Sequence, residues 1–351
     1  MAAVLIFMAL LVVMPILVRL SESMGLESLA GIMAYIGFLW MGLLFLFVST
    51  AFAIDVYRLI IYISEIITKK DLSLFSFTAR SYFLLALLVS VAAAGYGWFE
   101  ALNIRSEHVI IKTPKIPAEI GRLRIVQISD VHLGIIVREK RLQRILKALK
   151  AADPDIFVST GDLVDAQMDH LADLARMLRG IQAKYGKYAV LGNHEFYAGL
   201  AKSIAFMEEA GFRILRNEAA DVAGLIHIAG VDDPAGRSGG PSPVVPEKQL
   251  FSGLPVGKFT LFLKHQPRLD NSAIGLFDLQ LSGHTHRGQI FPFSLVTRLF
   301  YPVNAGLLEL QNGSYLYVSR GSGTWGPPIR FLSPPEVTVI DLVHQSRTEG
   351  G

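Results

Sequence analysis

The chain has 351 residues, 52% of them apolar and 18% charged, and a formal net charge of +3. That balance is too apolar for an ordinary soluble domain, and dispersed basic residues under so small a net charge argue against a nucleic-acid binder. Cysteine is absent, which excludes disulfides, thiolate metal sites and cysteine nucleophiles.

The apolar excess lies at the N-terminus. Ala2–Val18, Ser28–Ile54 and Ser81–Phe99 contain no Asp, Glu, Lys or Arg, and each approaches or exceeds the length that crosses a hydrocarbon core of about 30 Å. The first run lacks the basic start of a signal peptide and two more follow it. The sequence therefore predicts an all-α region of three transmembrane helices over residues 1–100, in a multi-pass protein of the cell (inner) membrane whose partner is the lipid bilayer. Arg58, Lys69, Lys70 and Arg80 fall between the second and third runs, against Arg19 between the first and second. Positive-inside bias then favours an extracytoplasmic C-terminal domain. Arg105, Lys112 and Lys115, just past the third run, count toward the cytosolic alternative.

Residues 101–121, with Pro114 and Pro117, read as an extended linker. A globular domain is expected over 122–344. It begins with the strand-like Arg124–Ser129. Leu142, Ile145, Leu146 and Leu149 then repeat at helical spacing, followed by a strand over Asp155–Ser159, a second helix marked by Leu171, Leu174, Ala175 and Leu178, a strand over Tyr188–Leu191 and a helix near 200–210. This alternation argues for a layered α/β domain. After Arg213 short strands predominate, at Leu225–Ala229, Phe259–Leu263, Leu279–Ser282, Tyr315–Ser319 and Val337–Leu342, and a second sheet packed on the first is expected. Residues 232–250, rich in Gly, Pro and Ser, read as a mobile loop, and 345–351 as a disordered tail.

Five short blocks carry the chemistry: Asp130-Val131-His132, Gly161-Asp162, Gly192-Asn193-His194-Glu195, His265 and Gly283-His284-Thr285-His286. Five of the nine histidines fall in them. Asp130 and His132 are two apart, and in an extended chain such residues point the same way and can face one ion. His284 and His286 repeat that spacing. Gly161 and Gly192 let the backbone turn sharply before Asp162 and Asn193. Carboxylate, imidazole and amide oxygen together suit Mn, Fe or Zn better than Ca, and one Asp can bridge two such ions.

In this order the blocks resemble the calcineurin-like metallophosphoesterase superfamily over about residues 122–342. Val-Leu-Gly-Asn-His and Ser-Gly-His-Thr-His-x-Gly-Gln-Ile look like its bacterial membrane-associated YkuE- and YaeI-like group. The resemblance implies a four-layered α/β/β/α sandwich and two divalent metal ions. Asp130, His132 and His286 would hold one ion, Asn193, His265 and His284 the other, and Asp162 would bridge. A metal-bridging hydroxide would attack phosphorus, and His194 would protonate the leaving oxygen or stabilise charge. Asp165 and Glu195 read as supports of the ligands or as ordinary structural residues. Arg287 stands where related sequences carry a small residue, and reads either as a contact to a second phosphate or acid of the substrate or as a surface ion pair. Gln266 replaces a common acid. His108, His170 and His344 read as surface residues, and His227 as the partner of a neighbour inside the fold.

Phe291–Tyr301, apolar with a single charge, reads either as a buried connection or as a patch resting on the bilayer. Arg320, Trp325 and Arg330 lie in a Gly/Pro-rich loop that frames the pocket in this reading. Together these features point to a membrane-anchored phosphohydrolase of a phosphodiester or pyrophosphate bond in a lipid or cell-envelope precursor. The alternatives are a nuclease or cyclic-nucleotide phosphodiesterase and, in a different class, a non-catalytic scaffold. The scaffold sits poorly with a complete ligand set.

Overall fold

The computed structural model describes residues 2–165, 171–237 and 245–346. The chain opens with three helices, α1 (Ala2–Ser23), α2 (Glu27–Thr68) and α3 (Ala79–Leu102). Two of them, α2 and α3, are long and apolar enough to cross a membrane. The expected third span is corrected. The described apolar stretch of α1, Leu10–Ser21, is too short to cross. Val18 of α1 packs instead with Ala30 and Ala34 of α2 and with Ile135 and Ile136 of the globular domain.

α2 has 42 residues, so it is roughly 63 Å long, about twice the hydrocarbon thickness. The globular domain docks on its first half and on the end of α3, where small residues let backbones approach. Ala30, Ala34, Ala93, Ala94 and Ala101 are buried. Gly42 lies against Pro327 and Ile329, and a Cβ at Gly97 would meet the Arg330 carbonyl at 2.8 Å. Arg330 N donates to Gly97 O at 2.9 Å.

The globular domain holds two six-stranded sheets. The first half of the domain contributes β1 (Arg105–Thr113), β2 (Arg122–Ile128), α4 (Glu139–Ala152), β3 (Ile156–Ser159), α5 (Ala172–Arg179), β4 (Lys187–Ala189), α6 (Asn193–Ala198), α7 (Leu200–Glu209) and β5 (Arg213–Ile214). The second half contributes β6 (Glu218–Val222), β7 (Ile226–Gly230), α8 (Glu247–Ser252), β8 (Phe259–Leu263), β9 (Leu279–Ser282), α9 (Phe293–Phe300), β10 (Gly306–Glu309), β11 (Tyr315–Val318) and β12 (Glu336–His344). The sheet orders are β1-β12-β2-β3-β4-β5 and β10-β11-β9-β8-β7-β6.

Strand alternation explains the layers. In β12, Val337 and Val339 face α4, α5 and α7, while Ile340 and Leu342 face the second sheet. Ile125, Ile156 and Val158 meet Ile226, Ile228, Leu261 and Leu281 between the sheets. The outer face of the second sheet has a thinner cover, Phe251 of α8 with Ala273 and Phe277.

Two expectations change here. The stretch read as a linker contains β1, which pairs in parallel with β12 from Arg105–Glu336 to Thr113–His344. The prolines fall after the strand, and Arg320 fastens the two strands through Glu107 and Glu336. The strand at Val337–Leu342 returns to the first sheet, antiparallel to β2, instead of joining the second. Residues 238–244 of the expected loop and 347–351 of the expected tail lie outside the described residues, as does His170.

Candidate metal centre

All five blocks sit at the ends of strands and meet at one edge of the two sheets. Asp130, His132 and His286 bring their ligand atoms within 4.8 Å of one another, and so do Asp162, His265 and His284. Asn193 joins the second group, its Oδ1 lying 3.2 Å from His265 Nε2 and 3.1 Å from His284 Nδ1. Asp162 Oδ2 stands between the groups, 3.8 Å from His132 and 3.2 Å from His265.

The backbone that presents these ligands is not extended. Asp130, His132, Asp162, His284 and His286 have φ of +51°, +54°, +50°, +70° and +47°. The left-handed region costs a non-glycine residue on the order of 1–3 kcal/mol, so the same-face spacing comes from left-handed turns and not from strand alternation. Neighbouring loops hold the turns in place. Asp130 N donates to Gly161 O and His132 N to Asp162 O, both at 3.0 Å, and Gly323 N donates to Asp130 O at 3.0 Å. His284 N donates to the Asp130 carboxylate at 2.9 Å.

The glycines have two different jobs. Gly161 has φ +94° and does turn the chain. Gly192 is extended, at φ −91° and ψ −173°, and provides room, because a Cβ there would collide with the Asp162 carboxylate. Gly283 likewise leaves space for Ser129 Oγ and the Asp130 carboxylate.

The donor set fits a pair of divalent cations. Ring nitrogens face one another at hydrogen-bond distance, His132 Nε2 to His286 Nε2 at 3.0 Å and His284 Nδ1 to His265 Nε2 at 3.2 Å. His265 Nδ1 donates to Thr160 O at 2.8 Å, which turns Nε2 toward Asn193, His284 and Asp162. Burial opposes charge on His265, but the Asp162 carboxylate outweighs it and raises the pKa, so among these rings His265 is the charged one. Burial pushes His132 down to about 4 and His284 to about 3, the second helped by the charge of His265. Both are thus held neutral, the state that ligates metal. Burial raises Asp130 to about 6, whereas the neighbouring imidazoles outweigh burial at Asp162 and hold it below the usual carboxylate range. Two carboxylates, four imidazoles and an amide oxygen suit Mn, Fe or Zn.

His194 belongs to neither trio of ligands around the two carboxylates. Its Nδ1 lies 2.9 Å from Asp165 Oδ1. A carboxylate only accepts, so Nδ1 carries the hydrogen and Nε2 remains for substrate. Burial opposes charge on this ring, but the Asp165 bond and the carboxylates of Asp162 and Asp165 overcome it and raise its pKa. Tyr197 and Trp325 stand edge-on to it, with centroids at 5.6 and 5.9 Å. The Asp165→Asn variant is expected to lose about 10–100-fold in turnover, the usual range for such a partner, with metal content unchanged. Equal loss of metal and activity would place Asp165 among the ligands instead.

Glu195 is fully buried, and its carboxylate accepts from four backbone donors. Asp162 N and Gly192 N meet Oε2 at 2.9 and 2.7 Å, and Leu163 N and Val164 N meet Oε1 at 2.7 and 3.2 Å. It therefore clamps the Asp162 loop to the Asn193 loop. Glu195→Ala is expected to cost at least about 3 kcal/mol, since each orphaned buried donor costs about 1–3 kcal/mol. Calorimetry would read this as a fall in Tm of about 6–12 °C, and a smaller fall would show that water replaces the carboxylate.

The remaining sequence candidates separate by position. Arg287 is half-buried and does not line the pocket. Gln266 ties Asp233 to Tyr301 beside His284. His108 is exposed, and His344 bonds Ile116 O at 2.7 Å. His227 is buried 3.6 Å from Asp221 with no hydrogen bond, contrary to the expected pairing.

Two groups take roles that the sequence did not assign them. Arg330 is fully buried and its Nη2 lies 3.1 Å from His286 Nδ1, bracing that ring from behind. Gln289 holds the Trp325 loop, donating to Trp325 O and Pro327 O at 2.9 and 3.0 Å and accepting from Trp325 N at 2.9 Å. Above the cluster opens a cavity of about 600 Å³, walled by Met41, Gly42 and Phe45 of α2 and by α9.

Comparison with known proteins gives a consistent result. Residues 123–288 match the profile of the family described as calcineurin-like phosphoesterase. An uncharacterized metallophosphoesterase of Aquifex aeolicus is 40% identical over 257 residues, covering 73% of this chain and 98% of that protein. The uncharacterized metallophosphoesterase YkuE of Bacillus subtilis is 31% identical, with 78% and 98% coverage. A Danio rerio transmembrane protein with metallophosphoesterase domain is 32% identical over 74% of this chain and 62% of its own length. Among solved structures, a 5'-nucleotidase precursor from Thermus thermophilus aligns at a TM-score of 0.39 and 17% identity, over 63% of this chain and 54% of that one. A likeness at that level carries no argument.

Proposed function

The chain belongs to the calcineurin-like metallophosphoesterases, metal-dependent phosphoesterases, and from that premise we propose that it is a membrane-anchored hydrolase of a phosphodiester or pyrophosphate bond in a lipid or cell-envelope precursor. The observation that carries this reading is the joining of two ligand clusters to a pocket whose wall is the apolar helix α2. Asp130, His132 and His286 would hold one ion, Asn193, His265 and His284 the other, and Asp162 would serve both. Bound there, the pair would supply Lewis acidity and an acidified water.

The chain's own residues account for the rest. His194 lines the pocket and Asp165 holds its Nδ1, so a proton carried on Nε2 would pass to the leaving oxygen. One water is consumed for each P–O bond broken. The water oxygen joins phosphorus, and the leaving group departs as its hydroxyl form. Glu195 keeps the Asp162 and Asn193 loops in register. Among the described residues no lysine or arginine lines the cavity, which gives no support to a basic track for a polynucleotide backbone.

The test is a substrate panel on the full chain with added Mn, comparing aryl phosphodiesters, nucleotide-sugar lipids, phospholipids and single-stranded DNA. Turnover is expected among the lipid phosphates. No turnover of any of them with both ions bound would overturn the reading. The charge bias further supports an extracytoplasmic domain, and a reporter fused after Gly351 checks it.

A further inference from the structure

Helix α9, Phe-Ser-Leu-Val-Thr-Arg-Leu-Phe, is apolar almost all round. One side, with Phe293, Val296, Thr297 and Phe300, lines the catalytic cavity. The other side carries Leu295 and Leu299, exposed at 54% and 80%. Only Ser294 and Arg298, one turn apart, form a polar stripe. A helix of this kind is stable in water only if something apolar covers it.

Its position says what that cover is. Phe293 packs edge-on against Phe45 of α2, with centroids at 6.1 Å. Beyond Phe45 the catalytic domain leaves α2 bare, and Val48, Phe52, Leu59, Ile60 and Ile67 are exposed. From Phe45 to Thr68 the helix runs roughly 36 Å, enough for a hydrocarbon core of about 30 Å. That stretch carries three charges: Asp55 and Arg58, paired at 2.9 Å, and Glu65 in its last turn, which accepts from Leu72 N at 3.0 Å. α9 therefore stands where the bare part of α2 begins, which is the level of a membrane interface. Met41 and Phe45 line the cavity from the opposite wall, and His132, His194, His284 and His286 form its floor.

Building on the phosphohydrolase reading, we propose that α9 lies in the bilayer interface, and that the slot between α9 and Met41–Phe45 of α2 takes the hydrocarbon tail of a bilayer-resident lipid phosphate while its phosphorus rests on the histidine cluster. The substrate then needs no extraction from the membrane. Its tail slides laterally from lipid into the slot and exchanges one apolar surrounding for another, while the polar head stays at the level of His194 and Trp325.

Two measurements on the full chain in nanodiscs test this, and neither depends on turnover. The sequence has no cysteine, so Leu299→Cys carries a single environment-sensitive fluorophore. Quenching by brominated lipid is expected, and a label that reports water and ignores the bromine overturns the interfacial helix. The second measurement compares binding of a long-chain alkyl phosphonate with binding of its ethyl counterpart, using nanodiscs without protein as the blank. The parent chain is expected to prefer the long chain. Val296→Trp, which fills the slot, is expected to cut that preference at least about tenfold, equivalent to losing about two buried methylenes. No chain-length preference in the parent, or the same preference in the variant, overturns the tail site. Preference that is present and lost on substitution, without hydrolysis of the matching diesters, counts instead against the phosphohydrolase reading.

Discussion

Asp162→Asn is expected to lower turnover by at least roughly 10³-fold, about 4 kcal/mol of transition-state stabilisation, and to reduce bound metal from two ions per chain to one or none. Asp162 stands within reach of both ligand groups, 3.8 Å from His132 and 3.2 Å from His265. Its other oxygen accepts from His194 N at 2.9 Å. Asparagine keeps the shape and one acceptor but removes the charge shared by the two groups. Its amide hydrogens would also face imidazole nitrogens that must stay free. Metal analysis and turnover on one preparation check the result, and a variant retaining two ions and normal turnover would remove Asp162 from the bridging position.

His194→Ala is expected to lose about 10²–10⁴-fold with both ions retained, the range of general acid help. The loss should depend on the leaving group. A nitrophenolate departs without a proton, so its hydrolysis should fall least, whereas an alkoxide leaving group should show the full effect. Equal losses for both would mean that His194 stabilises charge on phosphorus without transferring a proton. A drop in metal content would place it among the ligands.

The candidate ligand residues were legible because the chemistry restricts their type. Few side chains bind a divalent cation, and their appearance after successive apolar strands left little choice. Their backbone was not legible, because nothing in Asp130 or His286 announces a left-handed φ. The hydrogen bonds that enforce it come from loops distant in sequence, such as Gly161, Gly323 and the Asp130 carboxylate. Strand β1 was missed because its charged residues and the nearby prolines resemble a tether. Its alternation, with Ile111 buried, has meaning only once β12 returns beside it. Helix α9 could be read as buried or exposed until its neighbour Phe45 was placed. The role of Arg330 depends on contacts with His286 and Gly97 that local sequence does not encode.

The contacts of Arg330 have a practical consequence for anyone preparing this protein. One residue reaches His286 of the candidate metal cluster with its side chain and the carbonyl of Gly97 in α3 with its backbone. Three residues on, Ser333 N donates to Glu100 of α3 at 3.2 Å, and Ser333 Oγ donates to His286 O at 2.7 Å. The helical region and the phosphoesterase domain are therefore not modular. Trimming the chain at residue 121 to obtain a water-soluble fragment would remove the floor beneath His286 and unzip an edge of the first sheet. An inert fragment obtained that way would say nothing about the intact chain, whereas a detergent-purified or nanodisc-embedded one would.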